Sequence, residues 1–425
     1  MIDDLAAYLD ASPTPWHAVA TTESRLVAAG FLAMDLGAAP TPLAPGHRGY
    51  VAIGGTIVAF RVGFEPVAQS GFHIVTAHTD SPVLRIKPNP VLRSNGIVRL
   101  GVEVYGGVLL HTWTDRELGI AGLVHTRDGR STCVDLRRPL CRIPNLAIHL
   151  QRTVNEDGLK LNPQTHLPAV LGLEEGSGAD PLRDLLGDAV SCAPQEVVSW
   201  DLCLVDLVPA AVSGVGREFL HSGRLDNLAS CHSALAGLLS SLDASPNSTA
   251  VIALFDHEEI GSTTSRGANG RVLETVLTAL VDRVTPVAPG GLVRALAHSF
   301  VVSVDMAHAV HPAFPDKHEP NHLPRMGLGP VIKQNANQRY ATEGAGAARF
   351  ARLCADVGSP VQWFVNRSDL ACGSTVGPMV TAHLGCPGVD VGNAMWSMHS
   401  ARETCGTADP VWMSAALGRH LSGNR

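Results

Sequence analysis

Three apolar runs of this sequence end directly before side chains that bind metal ions or move protons. The run at 250–255 (AVIALF) is followed by four of them, Asp256, His257, Glu258 and Glu259. A short apolar run of this kind is typical of a buried strand. Charge directly after a buried strand is costly unless a cation or a reaction uses it. The alternative is an acidic turn in solvent.

Two more apolar runs follow the same pattern. FHIVTA at 72–77 leads into His78, and FVVSV at 300–304 leads into Asp305. In a mainly parallel sheet the carboxyl ends of the strands meet at one edge, where α/β proteins build their sites. Because the pattern recurs over three strands, we expect these side chains to converge.

The types of the candidate residues favour a metal centre. Two more candidates, one at the start of a predicted helix and one beyond the last predicted strand, complete a set of His78, Asp226, Glu258, Glu259, Asp305 and His399. Histidines with carboxylates and no cysteine suit zinc, manganese or cobalt in a catalytic site. So many carboxylates exceed the needs of one ion, and two ions would supply a Lewis acid and a water that ionises near neutral pH. The adjacent glutamates suit a division between ligand and general base.

Each residue also has an ordinary structural alternative. His78 fits a hydrogen-bonded histidine at a strand end, Asp226 a helix cap and Asp305 a turn residue. Spacing does not distinguish His399 from the rest of the 19 histidines. The segment HEEIG is not an H-E-x-x-H zinc motif, because Gly261 stands where the second histidine is required. We find no P-loop, no dinucleotide-binding glycine motif and no G-x-S-x-G motif.

Composition limits the class of protein. The chain has 425 residues, 45% of them hydrophobic and 17% charged, which fits a globular enzyme of two domains or of one domain with a large insertion. A net charge of −7 argues against a nucleic-acid surface. Nine cysteines without a C-x-x-C pair indicate reduced thiols. No apolar run reaches the roughly 18 residues of a membrane span, and we predict a cytoplasmic protein.

The predicted elements divide the chain in two. Residues 2–30 are predicted to be helical, and 50–62 to form a hairpin across Gly54-Gly55. The stretch 85–216 is predicted to be a β-rich inserted domain with strands at 97–105, 118–124, 131–136 and 197–207 and a long polar loop at 155–180. The remaining segments, 1–84 and 217–425, form the catalytic domain. In it we predict helices at 228–242, 271–284, 342–357 and after Ser374, and strands at 250–255, 300–304, 361–365 and 389–391.

Sequence blocks along nearly the whole chain resemble the aspartyl aminopeptidases, a family of cytosolic dinuclear zinc exopeptidases. The blocks are AHTDSP at 77–82, RIPNLAIHLQR at 142–152, RLDNLAS at 224–230, FDHEEIGS at 255–262, VDMAHAVHP at 304–312, GPVIK with NQRYAT at 329–342, SDLACGSTVGP at 368–378 and MHSARE at 398–403. The resemblance implies a mixed, mostly parallel sheet flanked by helices, as in zinc exopeptidases. It also implies that the insertion is a dimerisation domain.

The resemblance assigns a role to each candidate. One zinc is held by His78 and Asp305, the other by Glu259 and His399, and the two are bridged by Asp226. Glu258 is the general base, and Asp80 holds His78 in place. Manganese or cobalt are possible substitutes for zinc. The implied substrates are peptides with a free N-terminus.

Three more residues take roles from the resemblance. His149 in the insertion would reach the active site of a neighbouring subunit and donate to the developing oxyanion; the alternatives are a structural or a metal-binding histidine. Lys333 would select acidic N-terminal residues, its alternative being an exposed surface lysine, and Tyr340 would contact the substrate. The implied assembly is a homo-oligomer, and the family suggests a dodecamer.

Three other functions remain open from the sequence. They are an aminopeptidase of neutral or broad preference, a related metal-dependent deacylase or carboxypeptidase, and a non-catalytic assembly or cargo protein.

Overall fold

The computed structural model describes residues 1–175, 178–284 and 290–423. The helices are α1 (Ile2–Asp10), α2 (Pro15–Ala28), α3 (Val67–Ser70), α4 (Val154–Asp157), α5 (Pro181–Val190), α6 (Leu225–Ser240), α7 (Val272–Val284), α8 (Gly291–Ala297), α9 (Gly344–Asp356), α10 (Val376–Leu384) and α11 (Asp409–Leu421). The strands are β1 (Leu32–Ala33), β2 (Arg48–Ile53), β3 (Thr56–Arg61), β4 (Phe72–His78), β5 (Val83–Ser94), β6 (Ile97–Tyr105), β7 (Leu118–Thr126), β8 (Ser131–Cys141), β9 (Ala169–Leu173), β10 (Val197–Asp206), β11 (Ala211–Ser213), β12 (Phe219–Ser222), β13 (Thr249–Phe255), β14 (Phe300–Val304), β15 (Ala307–His308), β16 (Val331–Gln334), β17 (Gln362–Val365), β18 (Gly388–Gly392), β19 (Ala394–Trp396) and β20 (Glu403–Gly406).

A nine-stranded sheet forms the centre of the molecule, in the order β1-β2-β3-β13-β4-β14-β18-β16-β17. Neighbours are parallel except at β2-β3, β3-β13 and β18-β16. Helices cover both faces. Alternate residues of β13 pack on opposite sides: Ile252 lies in the core beneath α6, α9 and α11, and Val251 in the core beneath α7, α8 and α10. Burial on both faces explains the continuous apolar run, and the predicted α/β class with a mixed, mostly parallel sheet is confirmed.

Residues 83–206 build a separate six-stranded sheet around its own hydrophobic core. Its order is β8-β7-β10-β5-β6-β9, and every neighbouring pair is antiparallel. The prediction of a continuous loop at 155–180 is wrong, because β9 lies within it and pairs with β6. The strand was missed because it is a short edge strand between polar segments.

Two other expectations need correction. The helical stretch predicted at 2–30 is two helices, with Thr14 extended and Pro15 opening α2, since a residue before proline is pushed out of the helical conformation. His399 does not follow the last strand. It lies between β19 and β20 of a third sheet, ordered β11-β12-β20-β19-β15, which was not predicted.

The predicted absence of disulfides agrees with the structure, because all nine cysteines are free. Within the described ranges, no helix is both long enough and apolar enough to cross a membrane.

Candidate metal centre

Three neighbouring parallel strands, β13, β4 and β14, bring four of the candidate residues to one edge of the central sheet. His78 is the last residue of β4, and Asp305 directly follows β14. Glu258 and Glu259 lie in a single 3₁₀ turn just beyond β13. The strands therefore deliver these side chains to a common place.

Asp226 and His399 reach the same edge from outside the sheet. Asp226 stands in the first turn of α6, where its backbone is not helical (φ −83°, ψ 101°). His399 has a left-handed backbone, with φ 69°. Glu403 holds both: its Oε2 accepts from Asp226 N at 3.1 Å, and its Oε1 accepts from His399 N at 2.7 Å. Sequence reasoning gave Glu403 no role, although it closes the MHSARE block.

The ligand atoms form two groups that share Asp226. In one, His78 Nε2 lies 3.4 Å from Asp226 Oδ1 and 3.5 Å from Asp305 Oδ1. In the other, His399 Nε2 lies 3.4 Å from Asp226 Oδ2 and 3.5 Å from Glu259 Oε2. One carboxylate thus turns one oxygen to each group, as a ligand between two ions would.

The donor set fits divalent cations. Asp226 Oδ1 and Glu259 Oε1 are buried and accept no hydrogen bond, which is costly for a carboxylate without a cation. Burial and then repulsion from Asp226 raise the pKa of Glu259 well above its usual value. Burial opposes ionisation of Asp226, but the attraction of the nearby His399 and His78 rings outweighs it and lowers the pKa of Asp226. A cation would relieve this concentration of negative charge.

Glu258 stands at the border of the first group. Its Oε2 lies 4.0 Å from His78 Nε2, beyond the other contacts of that histidine. Burial raises the pKa of Glu258 to about 7, with His78 opposing and Asp305 reinforcing the rise. A carboxyl group with a pKa near neutrality can both take up and release a proton.

Asp80 holds the turn after β13 as well as His78. His78 Nδ1 lies 3.0 Å from the main-chain oxygen of Asp80 and 3.4 Å from its Oδ1. The same carboxylate accepts from Glu258 N and Glu259 N, each at 3.1 Å. Tyr105 Oη, at the end of β6, donates to it at 2.7 Å. Asp80 therefore fixes a histidine and both glutamates at once.

The chain just after β6 also contributes to the site. Gly107 O lies 3.0 Å from His399 Nδ1, which leaves Nε2 of this ring facing the carboxylates. A Cβ on Gly107 would lie 3.1 Å from that nitrogen, and one on Gly106, whose φ is 73°, would lie 3.1 Å from Glu259 Cβ. The close approach of backbone to ligands explains the glycines, and neither Gly107 nor Tyr105 was singled out from the sequence.

Lys333 and Tyr340 line the same cavity of about 300 Å³ as the two ligand groups. Lys333 is not an exposed surface lysine, because its side chain is 3% exposed. Its Nζ lies 3.6 Å from Asp305 Oδ2, donates to Met306 O at 3.2 Å, and stands 5.1 Å over the ring of Tyr340. A cation is thus buried beside one of the candidate ligands.

His149 is not brought to this cavity within one chain. It is exposed on the 3₁₀ helix Ile148–Leu150. It is not one of the described residues that line the cavity. Three hydrophobic neighbours are also exposed: Leu146 by 57%, Ile148 by 46% and Leu150 by 74%. An exposed apolar segment of this kind is typical of a surface that another protein covers.

Known proteins resemble this chain over its whole length. A model of the family described as "Aminopeptidase I zinc metalloprotease (M18)" matches residues 8–419. A protein described as "Probable M18 family aminopeptidase 2" from Stutzerimonas stutzeri is 44% identical over 98% of this chain and 97% of its own. A protein of the same description from Streptomyces coelicolor is 44% identical over 98% of this chain and 96% of its own.

Solved structures show the same fold. The chain superposes on a structure titled "Cryo-EM structure of the Ape4 and Nbr1 complex" with a TM-score of 0.95 and 36% identity, covering 99% of this chain and 85% of that one. It also superposes on an mApe1 dodecamer of S. cerevisiae with a TM-score of 0.84 and 25% identity, covering 98% and 95%.

Proposed function

The chain belongs to the M18 family and is a zinc-dependent aminopeptidase, and within that activity we propose that it removes acidic residues, aspartate or glutamate, from the N-terminus of peptides. Lys333 is the observation that supports this preference. It places a buried positive charge in the wall of the cavity that holds the two ligand groups. A carboxylate on the first side chain of a substrate would complement that charge.

We assign the ligands from the two groups of atoms. His78 and Asp305 would hold one zinc, Glu259 and His399 would hold the other, and Asp226 would contribute one oxygen to each group. When bound, the two ions supply a Lewis acid and lower the pKa of water in the site. Asp80 and Glu403 orient the ligands through the hydrogen bonds described above.

Glu258 is the proton carrier in this proposal. It takes a proton from the water that attacks the carbonyl carbon of the first residue, and it passes that proton to the departing amine as the C–N bond breaks. Its side chain lies inside the cavity, and its pKa is raised toward neutrality by burial. Both properties suit a group that must accept and then release one proton.

A neutral or broad preference is the second candidate, and one contact favours it. Lys333 Nζ is 3.6 Å from Asp305 Oδ2, so part of its charge is already balanced within the protein. If this ion pair persists with zinc bound, the charge of Lys333 balances the metal ligand Asp305 and does not select the substrate.

A profile of N-terminal residues separates the two candidates. The kcat/KM ratio of Asp- and Glu- over Ala- and Leu-peptides is measured for the wild type and for Lys333→Met, which keeps the length of the side chain and removes its charge. Bound zinc is measured in parallel, because Lys333 touches Asp305. A selective fall on acidic peptides at unchanged zinc content supports acidic preference, whereas an equal fall on all peptides contradicts it. N-acetylated peptides should not be cleaved, since an aminopeptidase needs the free amine.

We further propose that the subunits form a homo-oligomer, a dodecamer like that of mApe1, in which His149 enters a neighbouring active site. The exposed hydrophobic side chains around His149 support this, because association would cover them. There His149 would donate a hydrogen bond to the oxyanion that develops on the substrate carbonyl.

Mixed oligomers test this role. His149→Ala and Glu258→Gln subunits, each inactive alone, are dissociated and reassembled together. If His149 serves its neighbour, some sites combine an intact Glu258 with an intact His149 and activity returns. If mixed oligomers are verified to form and still show no activity, His149 does not act between subunits.

A further inference from the structure

A buried carboxylate that the mechanism does not use lies behind the cavity of the two ligand groups. It belongs to Asp390 on β18, and this residue is fully buried. β18 is paired with β16, and in their register Asp390 stands opposite Lys333, which lines the cavity. Burying a charge is costly unless hydrogen bonds and opposite charges compensate for it. The partners of Asp390 therefore indicate what the fold gains from this carboxylate.

Both oxygens of the Asp390 carboxylate hold segments that line the cavity. Oδ2 accepts a hydrogen bond at 2.6 Å from the main-chain N–H of Ala341, which directly follows Tyr340. Oδ1 accepts from the hydroxyl of Thr375 at 2.7 Å. Tyr340 and Thr375 are both lining residues of the cavity. One carboxylate thus anchors two segments of the cavity wall.

The main chain of Asp390 holds the first of these segments, residues 339–342, a second time. Asp390 N donates to Thr342 Oγ1 at 2.9 Å, and this hydroxyl donates to Asp390 O at 3.4 Å. The two wall segments also contact each other, because the hydroxyl of Ser374 donates to Arg339 O at 3.1 Å. They therefore form one assembly, which is attached to the central sheet at Asp390.

The second segment, residues 373–375, leads into α10 and depends on the same carboxylate. Thr375 stands at the N-cap position of this helix, but its hydroxyl donates to Asp390 instead of accepting from the first turn. A Cβ on Gly377 would collide with the oxygens of Asp390, so the carboxylate lies against the N-terminus of α10, where an anion is favoured. Burial raises the pKa of Asp390, and the positive charge of Lys333 opposes that rise. Replacing the carboxylate would release Thr375 together with the start of α10.

We propose that Asp390 is the positioning residue that shapes the pocket for the first residue of the substrate. The inference rests on the proposed function, in which the first side chain of the peptide lies against Lys333. That side chain would then contact Tyr340 and Thr375 as well, because both line the same cavity. The hydrogen bonds of Asp390 described above lead to the cavity walls and not to Glu258 or the two ligand groups. Asp390 therefore acts on substrate binding and not on the chemical step.

Steady-state kinetics of the zinc-loaded full chain test the proposal by separating KM from kcat. Peptides with an N-terminal aspartate and peptides with an N-terminal alanine are both used, so the result can be read even if the acidic preference fails. Asp390→Ala should raise KM on both about 10–100-fold, as the loss of charge-assisted hydrogen bonds does. The kcat and the bound zinc should stay within about twofold of the wild type, because only binding is affected. Thr375→Val keeps the shape of the side chain, removes one of the hydrogen bonds and should raise KM about tenfold.

The double variant Asp390→Ala/Thr375→Val distinguishes positioning from general damage. Because Thr375 is held through Asp390, its substitution should add nothing to the KM of Asp390→Ala. Asp409→Ala is the matched control. Asp409 is also a buried carboxylate that accepts from two main-chain N–H groups, those of Gly327 and Gly329. Neither glycine is among the described residues that line the cavity, so KM should equal that of the wild type.

Several results would overturn the proposal. They are an unchanged KM in Asp390→Ala, a fall in kcat and zinc content at unchanged KM, an equal rise of KM in Asp409→Ala, and effects that multiply in the double variant. If Asp390→Ala does not fold, Thr375→Val decides alone, and an unchanged KM in that variant overturns the proposal. If KM rises as expected on both kinds of peptide while the wild type shows no acidic preference, the proposed preference is wrong and the role of Asp390 is supported.

Discussion

Replacing Glu258 by glutamine should separate chemistry from structure at the metal centre. The substitution keeps the shape of the side chain and removes its ability to take up a proton. The main-chain N–H of residue 258, which donates to Asp80 Oδ1 at 3.1 Å, is unaffected, so the turn that carries Glu259 should stay in place. The side-chain Oε2 is 4.0 Å from His78 Nε2, so no close contact with that ring is lost.

The expected magnitudes follow from this environment. A positioned general base contributes about 10²–10⁴-fold, or roughly 3–5 kcal/mol of activation free energy, and kcat should fall by that factor. Stability should not fall. A carboxyl group whose pKa is raised by burial destabilises the folded state once it ionises, and glutamine removes that cost. The melting temperature is therefore expected to equal or exceed that of the wild type.

The assay combines steady-state kinetics on an N-terminally acidic peptide, bound zinc per subunit and thermal unfolding. Glu65→Gln, the same substitution at an exposed position, is the matched control and should change none of the three. If Glu258→Gln retains activity within about tenfold of the wild type at full zinc content, Glu258 is not the base. If its zinc content falls instead, Glu258 is a ligand.

Three further predictions concern residues that support the site or the fold. Asp80→Asn should weaken zinc binding about 10–100-fold in a chelator competition, because an amide cannot accept all the hydrogen bonds that the carboxylate receives; unchanged affinity would contradict the role given to Asp80. Glu403→Gln should have a similar effect on the same assay, since the amide nitrogen would face a main-chain N–H of Asp226 or His399. Burial raises the pKa of Asp409 to about 6, above the 3.8 of the free side chain, so its contribution to the free energy of unfolding should fall as pH rises from about 4 to 6 and then stay constant. In urea titrations Asp409→Asn should gain stability relative to the wild type across that interval; a constant difference would show that Asp409 does not titrate there.

The strands that carry the site were predictable because they are buried on both faces. AVIALF, FHIVTA and FVVSV are continuous apolar runs, and the chemistry-bearing residues follow each run directly. Parallel pairing then brings His78, Glu259 and Asp305 to one edge without any further information. The family read from the sequence blocks is confirmed, and the domain boundaries and residue roles stay predictions.

Other parts of the site had no local signal. Glu403 accepts hydrogen bonds from two main-chain N–H groups. That of Asp226 lies far from it in sequence, and that of His399 lies beyond a turn. No periodicity of the sequence reveals such contacts. Tyr105 and Gly107 belong to the β-rich segment, where β5 contains two prolines and changes register between Ile86 and Val91. Short strands such as β9, β19 and β20 bury too few residues to leave an alternating pattern.

The contacts of Tyr105 and Gly107 bear on whether the segment at 83–206 can be exchanged between related proteins independently of the rest of the chain. Tyr105 donates to Asp80, and Gly107 O faces His399, so residues of the segment at 83–206 fix the geometry of both ligand groups. The segment at 83–206 is therefore not a removable module. A chimera that receives this segment from a distant relative, or a shortened chain that lacks it, should lose its metal before it loses its central sheet, and evolutionary change in either half is constrained by the other.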